Sequence, residues 1–209
     1  MVTPGRRRPA EGTQPACSPN GTGRSKRGAD GADTMPRRCQ QAAPNAGNKQ
    51  NDNDMDKRQL MMRAIKLSEE SVENGGGPFG AVIARNGEIV AEASNSVTPD
   101  CDPTAHAEVN AIRKAARATG SYDLSGCEIY TSCEPCPMCL GAIYWAHLDK
   151  VYYANDRKDA ARIGFDDDFI YKELELKPAD RHKPSEILMA GEAKRAFEMW
   201  QEKGDKMEY

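Results

Sequence analysis

Apolar residues in the first part of the chain recur at two spacings, which predict a helix followed by an antiparallel strand pair. Leu60, Ile65 and Leu67, with Val72 beyond, indicate an opening helix, and the run 74–77 (Asn-Gly-Gly-Gly) would release the chain from that helix. Two short apolar runs, 81–84 and 88–91, then flank an Asn-Gly pair, the strongest short hairpin signal. The glycine run lacks the Lys-Ser/Thr ending of a phosphate loop, so we expect a tight loop there.

Strand and helix patterns alternate along the rest of the chain. A helix from about 105 to 118, a strand at 128–131, a helix that ends near Trp145 and a strand at 151–154 follow one another. Such alternation predicts a layered α/β fold. Trp145 is predicted to lie in the core, and so is one face of a C-terminal helix that contains Ala193, Ala196, Phe197 and Trp200.

The first 54 residues differ in composition from the remainder. They contain no Leu, Ile, Phe, Tyr or Trp, and they are rich in Gly, Pro, Ser, Asn and Gln. Such a composition does not offset the entropy of ordering, so we predict a disordered tail at 1–54 and a folded domain at 55–209. A targeting segment, a nucleic-acid-binding arm and a start of the functional chain at Met55 are the alternatives for the tail.

Charge and cysteine usage limit the partners and the compartment. The domain at 55–209 carries 20 basic and 27 acidic residues, a net charge of −7, which disfavours a nucleic-acid partner. No apolar stretch approaches membrane-spanning length, and no signal peptide opens the chain, so no membrane partner is expected. Seven cysteines, three of them clustered, fit metal binding in a reducing compartment, and we predict a cytoplasmic protein.

Two motifs carry the candidate chemistry. His106-Ala107-Glu108 and Pro135-Cys136-Pro137-Met138-Cys139 match the H-x-E…P-C-x-x-C signature of zinc deaminases that act on nucleobases. His106, Cys136 and Cys139 are predicted to bind Zn²⁺, which leaves a fourth position for a water whose pKa falls to about 7. Glu108 is then free to move protons.

The spacing of these residues constrains the local backbone. Cys136 and Cys139 are predicted to share one helix face, with Pro137 in the first helical position and Cys136 as N-cap, so that both thiols gain a lowered pKa. His106 and Glu108 would point about 200° apart on a regular helix and can converge only at an irregular helix start. The segment 102–104 supplies the N-cap candidates for that helix.

A structural zinc knuckle is the alternative for the cysteine cluster. Cys133 lies at the same spacing before Cys136 as Cys139 lies after it, and Cys127 is near. Structural sites usually separate their ligand pairs by a longer loop, which favours the catalytic interpretation. We therefore expect Cys133 to be a small buried thiol at a strand end, dispensable for metal binding.

With these motifs, the chain resembles bacterial guanine deaminases of the cytidine-deaminase superfamily over residues from about 56 to 209. The segments 76–83, 102–108, 131–146 and 164–167 carry the resemblance. Transfer-RNA adenosine deaminases share the first motifs, whereas the Gly-Phe-Asp-Asp segment and the terminal Glu-Tyr are more particular to guanine deaminases.

The resemblance implies a three-layer α/β/α fold with a central five-stranded mixed sheet. It also implies a homodimer that exchanges its C-terminal segments, so that each tail closes the partner's site, with one zinc ion per subunit. The substrate would be a small purine base, bound by Asn95, Ala107 and Tyr209 of the partner subunit. Asp167 would meet the exocyclic amine, and Phe79 would stack on the base or pack behind the first strand. Asp168 extends the acidic pair, so Asp167 is assigned by counting from Phe165; a solvated acidic turn is the alternative.

The function predicted by this resemblance is hydrolytic deamination of guanine to xanthine and ammonia, a step of purine catabolism or salvage. Glu108 would pass a proton from the attacking water to N3 of the base. Guanosine deaminase and transfer-RNA adenosine deaminase are the alternatives within the superfamily. A noncatalytic zinc module that binds a partner is the alternative from another class.

Overall fold

The computed structural model describes residues 55–208, so the predicted tail at 1–54 and Tyr209 lie outside the described residues. Its sheet contains the strands β1 (Gly80–Arg85), β2 (Glu88–Ser94), β3 (Glu128–Cys133) and β4 (Lys150–Asn155). Their order is β2-β1-β3-β4, with β1 antiparallel to β2 and β3, and β3 parallel to β4. The sheet is therefore mixed, as predicted.

Helices connect and cover these strands. They are α1 (Lys57–Glu73), α2 (Val97–Asp100), α3 (Ala107–Thr119), α4 (Pro137–Trp145), α5 (Arg157–Arg162), α6 (Asp168–Glu175) and α7 (Ala190–Glu202), with a 3₁₀ turn at Pro178–Asp180 before α7. Within residues 55–208, the helices are all too short or too polar to cross a membrane.

The two faces of the sheet bury alternate residues of each strand, as the period of two requires. Ala81, Ile83 and Ile129 pack with α3 and α4 in one hydrophobic cluster. Val82 and Tyr130 pack with the apolar side of α1 in a second cluster on the opposite face. The three-layer α/β/α arrangement predicted from the resemblance is thus confirmed.

Local signals in the sequence explain how α1 and the hairpin form. Asp56 caps α1 in a reciprocal capping box with Gln59. Asn86 and Gly87 turn the β1–β2 hairpin with φ angles of 52° and 83°, the left-handed pair of a tight hairpin turn. A Cβ at Gly80 would lie 2.3 Å from the carbonyl oxygen of Ala64, so the glycine is what allows α1 to pack this closely on β1.

Two predictions about the core and the sheet are wrong. The sheet has four strands within residues 55–208, not five. The apolar segment before α7, with Ile187 91% and Leu188 86% exposed, pairs with no strand of this sheet. Phe197 and Trp200 on α7 are exposed as well, and α7 has no buried residue. An amphipathic pattern shows that a face needs cover but does not say whether the same chain supplies it.

Trp145 is also not a core residue. It ends α4 with 65% of its surface exposed, and the neighbouring Tyr144 is 74% exposed. Only Cys139 and Ile143 of α4 are buried. The cysteine face of this helix therefore points inward, and its large aromatic residues lie on the surface.

Candidate active site

Three predicted metal ligands lie together where α3 and α4 begin. Nδ1 of His106 is 3.6 Å from Sγ of Cys136 and 3.5 Å from Sγ of Cys139. One ligand atom of each residue lies within 4.8 Å of those of the other two. The His and Cys motifs, 30 residues apart in sequence, thus form one group of three ligand atoms positioned for a metal ion.

The backbone explains this convergence. His106 is the N-cap of α3, with extended φ and ψ angles of −70° and 155°, and Cys136 is the N-cap of α4, with angles of −66° and 168°. Pro137 occupies the start of α4, as predicted. The prediction that segment 102–104 caps α3 is wrong, because the Asp102 carboxylate instead accepts hydrogen bonds from the N–H and hydroxyl of Thr104.

Bond lengths test whether the group suits zinc. Zinc lies about 2.3 Å from thiolate sulfur and about 2.0–2.1 Å from imidazole nitrogen in tetrahedral sites. A tetrahedral angle then places sulfur and nitrogen about 3.5–3.6 Å apart. The two nitrogen–sulfur distances here, 3.6 and 3.5 Å, agree with that value. The donor set of one imidazole and two sulfurs is also one that zinc prefers.

The two cysteine thiols differ in acidity. A hydrogen bond from Cys139, together with His106, lowers the pKa of Cys136 to about 4. The same contact and burial raise the pKa of Cys139. Without a metal the two thiols share a proton, so only the pKa of Cys136 is lowered. Binding of a metal cation to both sulfurs would release this proton. The prediction that both thiols have a lowered pKa includes the effect of the metal and stays a prediction.

Glu108 lies in the first turn of α3, two residues after the His106 N-cap. It is only 7% exposed, and burial raises the pKa of its carboxyl group, with a further contribution from Cys136. A raised pKa makes this carboxyl group a better proton acceptor than an ordinary glutamate, which suits a group that accepts a proton and later returns it. The irregular helix start predicted for His106 and Glu108 is present.

The group opens into a cavity of about 240 Å³. Phe79 lines it and meets Phe165 edge to face, with ring centroids 5.0 Å apart. The cavity is smaller than the roughly 300–1,000 Å³ of sites for drug-sized ligands, so its size suits a single heterocycle. Its lining residues are Phe79, His106, Glu108, Cys133, Glu134, Cys136, Arg157, Ala160, Gly164, Phe165, Asp166 and Asp167.

Asn95 lines an adjoining cavity of about 280 Å³ that shares Phe79, His106 and Phe165 with the first. Its side-chain oxygen accepts hydrogen bonds from the N–H groups of Gly77 (3.3 Å) and Val97 (3.2 Å). These two bonds fix the orientation of the amide, so its NH₂ group is the part left to donate to a ligand. The glycine run is thus the predicted tight loop, and it holds Asn95.

The remaining predicted binding residues differ in their placement. Asp167 lines the first cavity as the N-cap of α6, and burial raises the pKa of its carboxyl group. Ala107 is fully buried in the core, so its backbone N–H at the start of α3 is the group it could offer. Tyr209 lies outside the described residues.

Arg157 and Glu134, which were not among the predicted site residues, also line the cavity. Glu134 precedes the cysteine motif directly, and this position was the available signal; Arg157 had none. Cys133 is the last residue of β3, buried, with its thiol donating to the carbonyl of Asp156 at 3.7 Å. Burial raises the pKa of Cys133 to about 11, as expected for a structural thiol.

Known proteins match the region of the chain that contains this metal group. Residues 54–155 match the cytidine and deoxycytidylate deaminase zinc-binding region. The guanine deaminase of Bacillus subtilis (strain 168) is 52% identical over 151 residues, which cover 72% of this chain and 97% of that protein. The chain belongs to the cytidine and deoxycytidylate deaminase family. Zinc is accordingly the metal of this deaminase, as predicted.

Two further comparisons show how much of the chain is similar to a guanine deaminase and how much to a tRNA-specific adenosine deaminase. The X-ray structure of Bacillus subtilis guanine deaminase gives a TM-score of 0.72 at 51% identity and covers 74% of this chain and 99% of that one. The tRNA-specific adenosine deaminase of Aquifex aeolicus (strain VF5) is 41% identical over 105 residues, which cover 50% of this chain and 70% of that protein. The α/β class of this deaminase is therefore confirmed, and its similarity to the guanine enzyme extends over more of the chain.

Proposed function

We propose that this deaminase hydrolyses guanine to xanthine and ammonia. The observation that carries the proposal is that Asp167 and Asn95 line two adjoining cavities, both of which include His106 of the metal group. Asn95 presents an NH₂ donor, which suits an acceptor atom of the purine, and Asp167 presents carboxylate oxygens, which suit an exocyclic amine. The high identity to a guanine deaminase over 97% of its length supports the same substrate.

In this proposal His106, Cys136 and Cys139 hold one zinc ion per subunit. Zinc with three protein ligands lowers the pKa of a bound water to about 7 and so supplies a nucleophile at neutral pH. Burial of the reacting atoms in the cavity would strengthen the electrostatic interactions there.

Glu108 moves the protons. Its carboxylate accepts the proton of the attacking water and delivers it to N3 of guanine as a C–O bond forms at C2. The remaining proton of the new C2 hydroxyl is then transferred to the exocyclic nitrogen, the C–N bond breaks, ammonia leaves, and the C2 carbonyl of xanthine forms. Burial supports this role, because the raised pKa of Glu108 allows the carboxyl group to return the proton that it has accepted.

Asn95, Asp167 and the backbone N–H of Ala107 orient the base. Unpaired polar groups in a closed site cost about 1–3 kcal/mol each, so a base without the matching donor and acceptor atoms would be rejected. Phe79 offers its ring to the cavity, where it contacts Phe165, which supports contact with a flat heterocycle.

We further propose a homodimer in which each C-terminal segment completes the partner's site through Tyr209. The exposure of Ile187, Leu188 and Phe197 supports an exchanged segment, because such apolar residues call for cover. In its own subunit, the carbonyl of Glu208 accepts a hydrogen bond from Tyr122, just beyond the end of α3 opposite to His106. The 13 residues of α3 span about 20 Å, a distance that favours action in another subunit.

Complementation between two inactive variants tests the exchange. Glu108→Gln and Tyr209→Ala are each expected to be inactive alone, whereas a mixture refolded together should regain about a quarter of wild-type activity, since half of random dimers carry one complete site. A mixture that stays inactive, although mixed dimers form, would contradict the exchange.

The cytoplasmic location and the absence of nucleic-acid and membrane partners stay predictions.

A substrate panel tests the function. The zinc-loaded protein is incubated separately with guanine, guanosine, adenine, cytosine and an adenosine-bearing transfer-RNA stem-loop, and kcat/KM is measured from ammonia release. We expect guanine to be preferred over each of the others by at least about a hundredfold, as expected for a site built to hydrogen-bond its substrate. Preference for guanosine would support a guanosine deaminase instead, and preference for the stem-loop would support a transfer-RNA adenosine deaminase. No ammonia from any compound would favour a noncatalytic zinc module that binds a partner.

A further inference from the structure

Four residues beside the active site form a cluster of contacts that was not predicted from the sequence: Glu134, Pro135, Arg157 and Tyr171. Glu134 and Pro135 directly precede the Cys136 metal ligand, Arg157 begins α5, and Tyr171 lies in α6. The hydroxyl of Tyr171 donates to the carbonyl of Pro135 at 3.0 Å. The cluster therefore links the metal-binding loop to the helix that carries Asp167 at its N-terminus.

Arg157 contacts two other members of the cluster, Glu134 and Tyr171. Its backbone N–H donates to one carboxylate oxygen of Glu134 at 3.2 Å, and its guanidinium lies 3.4 Å from the other. The central carbon of the guanidinium lies 4.6 Å from the ring centroid of Tyr171, a cation–π distance. Arg157 thus contacts both the residue before Pro135 and the residue that bonds to Pro135.

Among residues 55–208, α6 also has contacts within the helix and with the segment that follows it: Lys172 pairs with Asp168, and Glu173 accepts hydrogen bonds from Arg181 and His182. The helix has no buried residue, so the hydrophobic core does not determine its position. Asp167 is its N-cap, and Tyr171 follows one helical turn later on the same side. A shift of α6 relative to the metal-binding loop would move the Asp167 carboxylate relative to the metal group, and the Tyr171 hydroxyl bonds from α6 to that loop.

We propose that Tyr171 is a positioning residue, which holds the Asp167 carboxylate at a fixed place opposite the metal group by anchoring α6 to Pro135, with Arg157 bracing its ring. The inference rests on the proposed function, since Asp167 needs an exocyclic amine to bind. Tyr171 itself touches no reacting atom in this account. Its removal acts through Asp167 and leaves the metal in place.

Binding of guanine to a turnover-inactive background measures this coupling. The background is Glu108→Gln, and calorimetry gives the guanine Kd with Tyr171→Phe, with Asp167→Asn and with both changes. We expect Tyr171→Phe to raise Kd about threefold to tenfold, as for loss of one hydrogen bond, and to have less than a twofold effect once Asp167 is changed. A residue that acts only on general stability would not show this dependence on Asp167.

Matched measurements exclude a general effect. Tyr130→Phe also removes one tyrosine hydroxyl and its bond to Glu128, but it lies in the cluster with α1 on the other face of the sheet. It should leave the guanine Kd unchanged, and each variant should retain one zinc per subunit. An unchanged Kd in Tyr171→Phe, or an equal rise with and without Asp167, would overturn the inference. No xanthine from the wild-type protein would overturn the proposed function, and the positioning role with it.

Discussion

His106 and Glu108 reach the same cavity because the first caps α3 and the second lies in its first turn. Two residues at this spacing on a regular helix would point their side chains about 200° apart. His106 is instead the N-cap, with an extended backbone, so this angle does not separate its side chain from that of Glu108. A metal ligand and an unligated carboxylate therefore stand side by side although one residue separates them. This relationship is the basis of the proposed division of the site between metal binding and proton transfer.

Replacing Glu108 with Gln should separate the two roles. We expect zinc to stay at one ion per subunit and kcat for guanine to fall by at least about a hundredfold, because the amide cannot accept and return the proton. Zinc analysis of the purified variant and steady-state ammonia release check both parts. Turnover close to wild type in Glu108→Gln would contradict the role of Glu108.

Exchange of cysteines should show which sulfurs bind the metal. Cys136→Ala is expected to lose zinc and activity, because only two of the three ligand atoms would remain. Cys133→Ala is the matched variant. This thiol is as close in sequence to Cys136 as Cys139 is, but it lies outside the ligand group. The variant should keep one zinc per subunit. Zinc loss in Cys133→Ala at full folding would support the structural knuckle instead.

Asn95 should contribute to substrate affinity more than to the chemical step. Asn95→Ala removes the donor that its two backbone contacts orient, and leaves an acceptor of the base unpaired. We expect kcat/KM for guanine to fall about fivefold to a hundredfold, mainly through KM. Thermal unfolding should accompany the kinetics, because loss of folding would also lower activity. An unchanged KM would exclude Asn95 from the binding site.

The ion pair between Arg63 on α1 and Glu92 on β2 predicts a pH dependence of stability. The hydrogen bond from Arg63 Nε, 2.7 Å long, holds the pKa of Glu92 below its ordinary value. A lowered pKa stabilises the fold above the unfolded pKa, near 4.3, and this contribution is lost as the pH falls through the folded value. We expect Glu92→Gln to lower the free energy of unfolding by about 0.5–1 kcal/mol at pH 7.

Denaturant unfolding at several pH values checks this prediction. The difference between wild type and Glu92→Gln should shrink below about pH 4. Glu69→Gln is the matched variant, because its pair with Lys66 is more than half exposed on both sides and should contribute close to nothing. A difference for Glu92→Gln that stays constant from pH 7 to pH 3 would contradict the electrostatic origin.

Local patterns predicted much of the fold and the metal group. The Asn-Gly hairpin, the helix that opens at Pro137 and the buried thiol of Cys133 depend on residues within a few positions of one another, and the structure contains them. The capping role of segment 102–104 failed because Asp102 bonds to Thr104 within a turn of its own. Short polar side chains compete for nearby backbone groups, and the sequence alone does not decide between them.

Two kinds of contact could not be predicted from local patterns. These are the contacts that cover an exposed apolar face and the contacts between residues far apart in sequence. The spacing on α7 is helical and amphipathic, yet the partner for its apolar face is not in the described part of the subunit. Tyr171 and Pro135 are 36 residues apart, and their contact follows from the placement of α6 and not from either motif. Trp145 has an apolar side chain in an apolar helix, but the helix buries its cysteine face instead.

Isotope analysis of the product tests the central claim most directly. The zinc-loaded protein is given guanine in ¹⁸O-enriched water, and the product is identified by mass spectrometry while ammonia is counted. The account predicts xanthine with one ¹⁸O atom at C2, formed in equal amount to ammonia and absent in Glu108→Gln. Unchanged guanine in the presence of folded, zinc-loaded protein would contradict it.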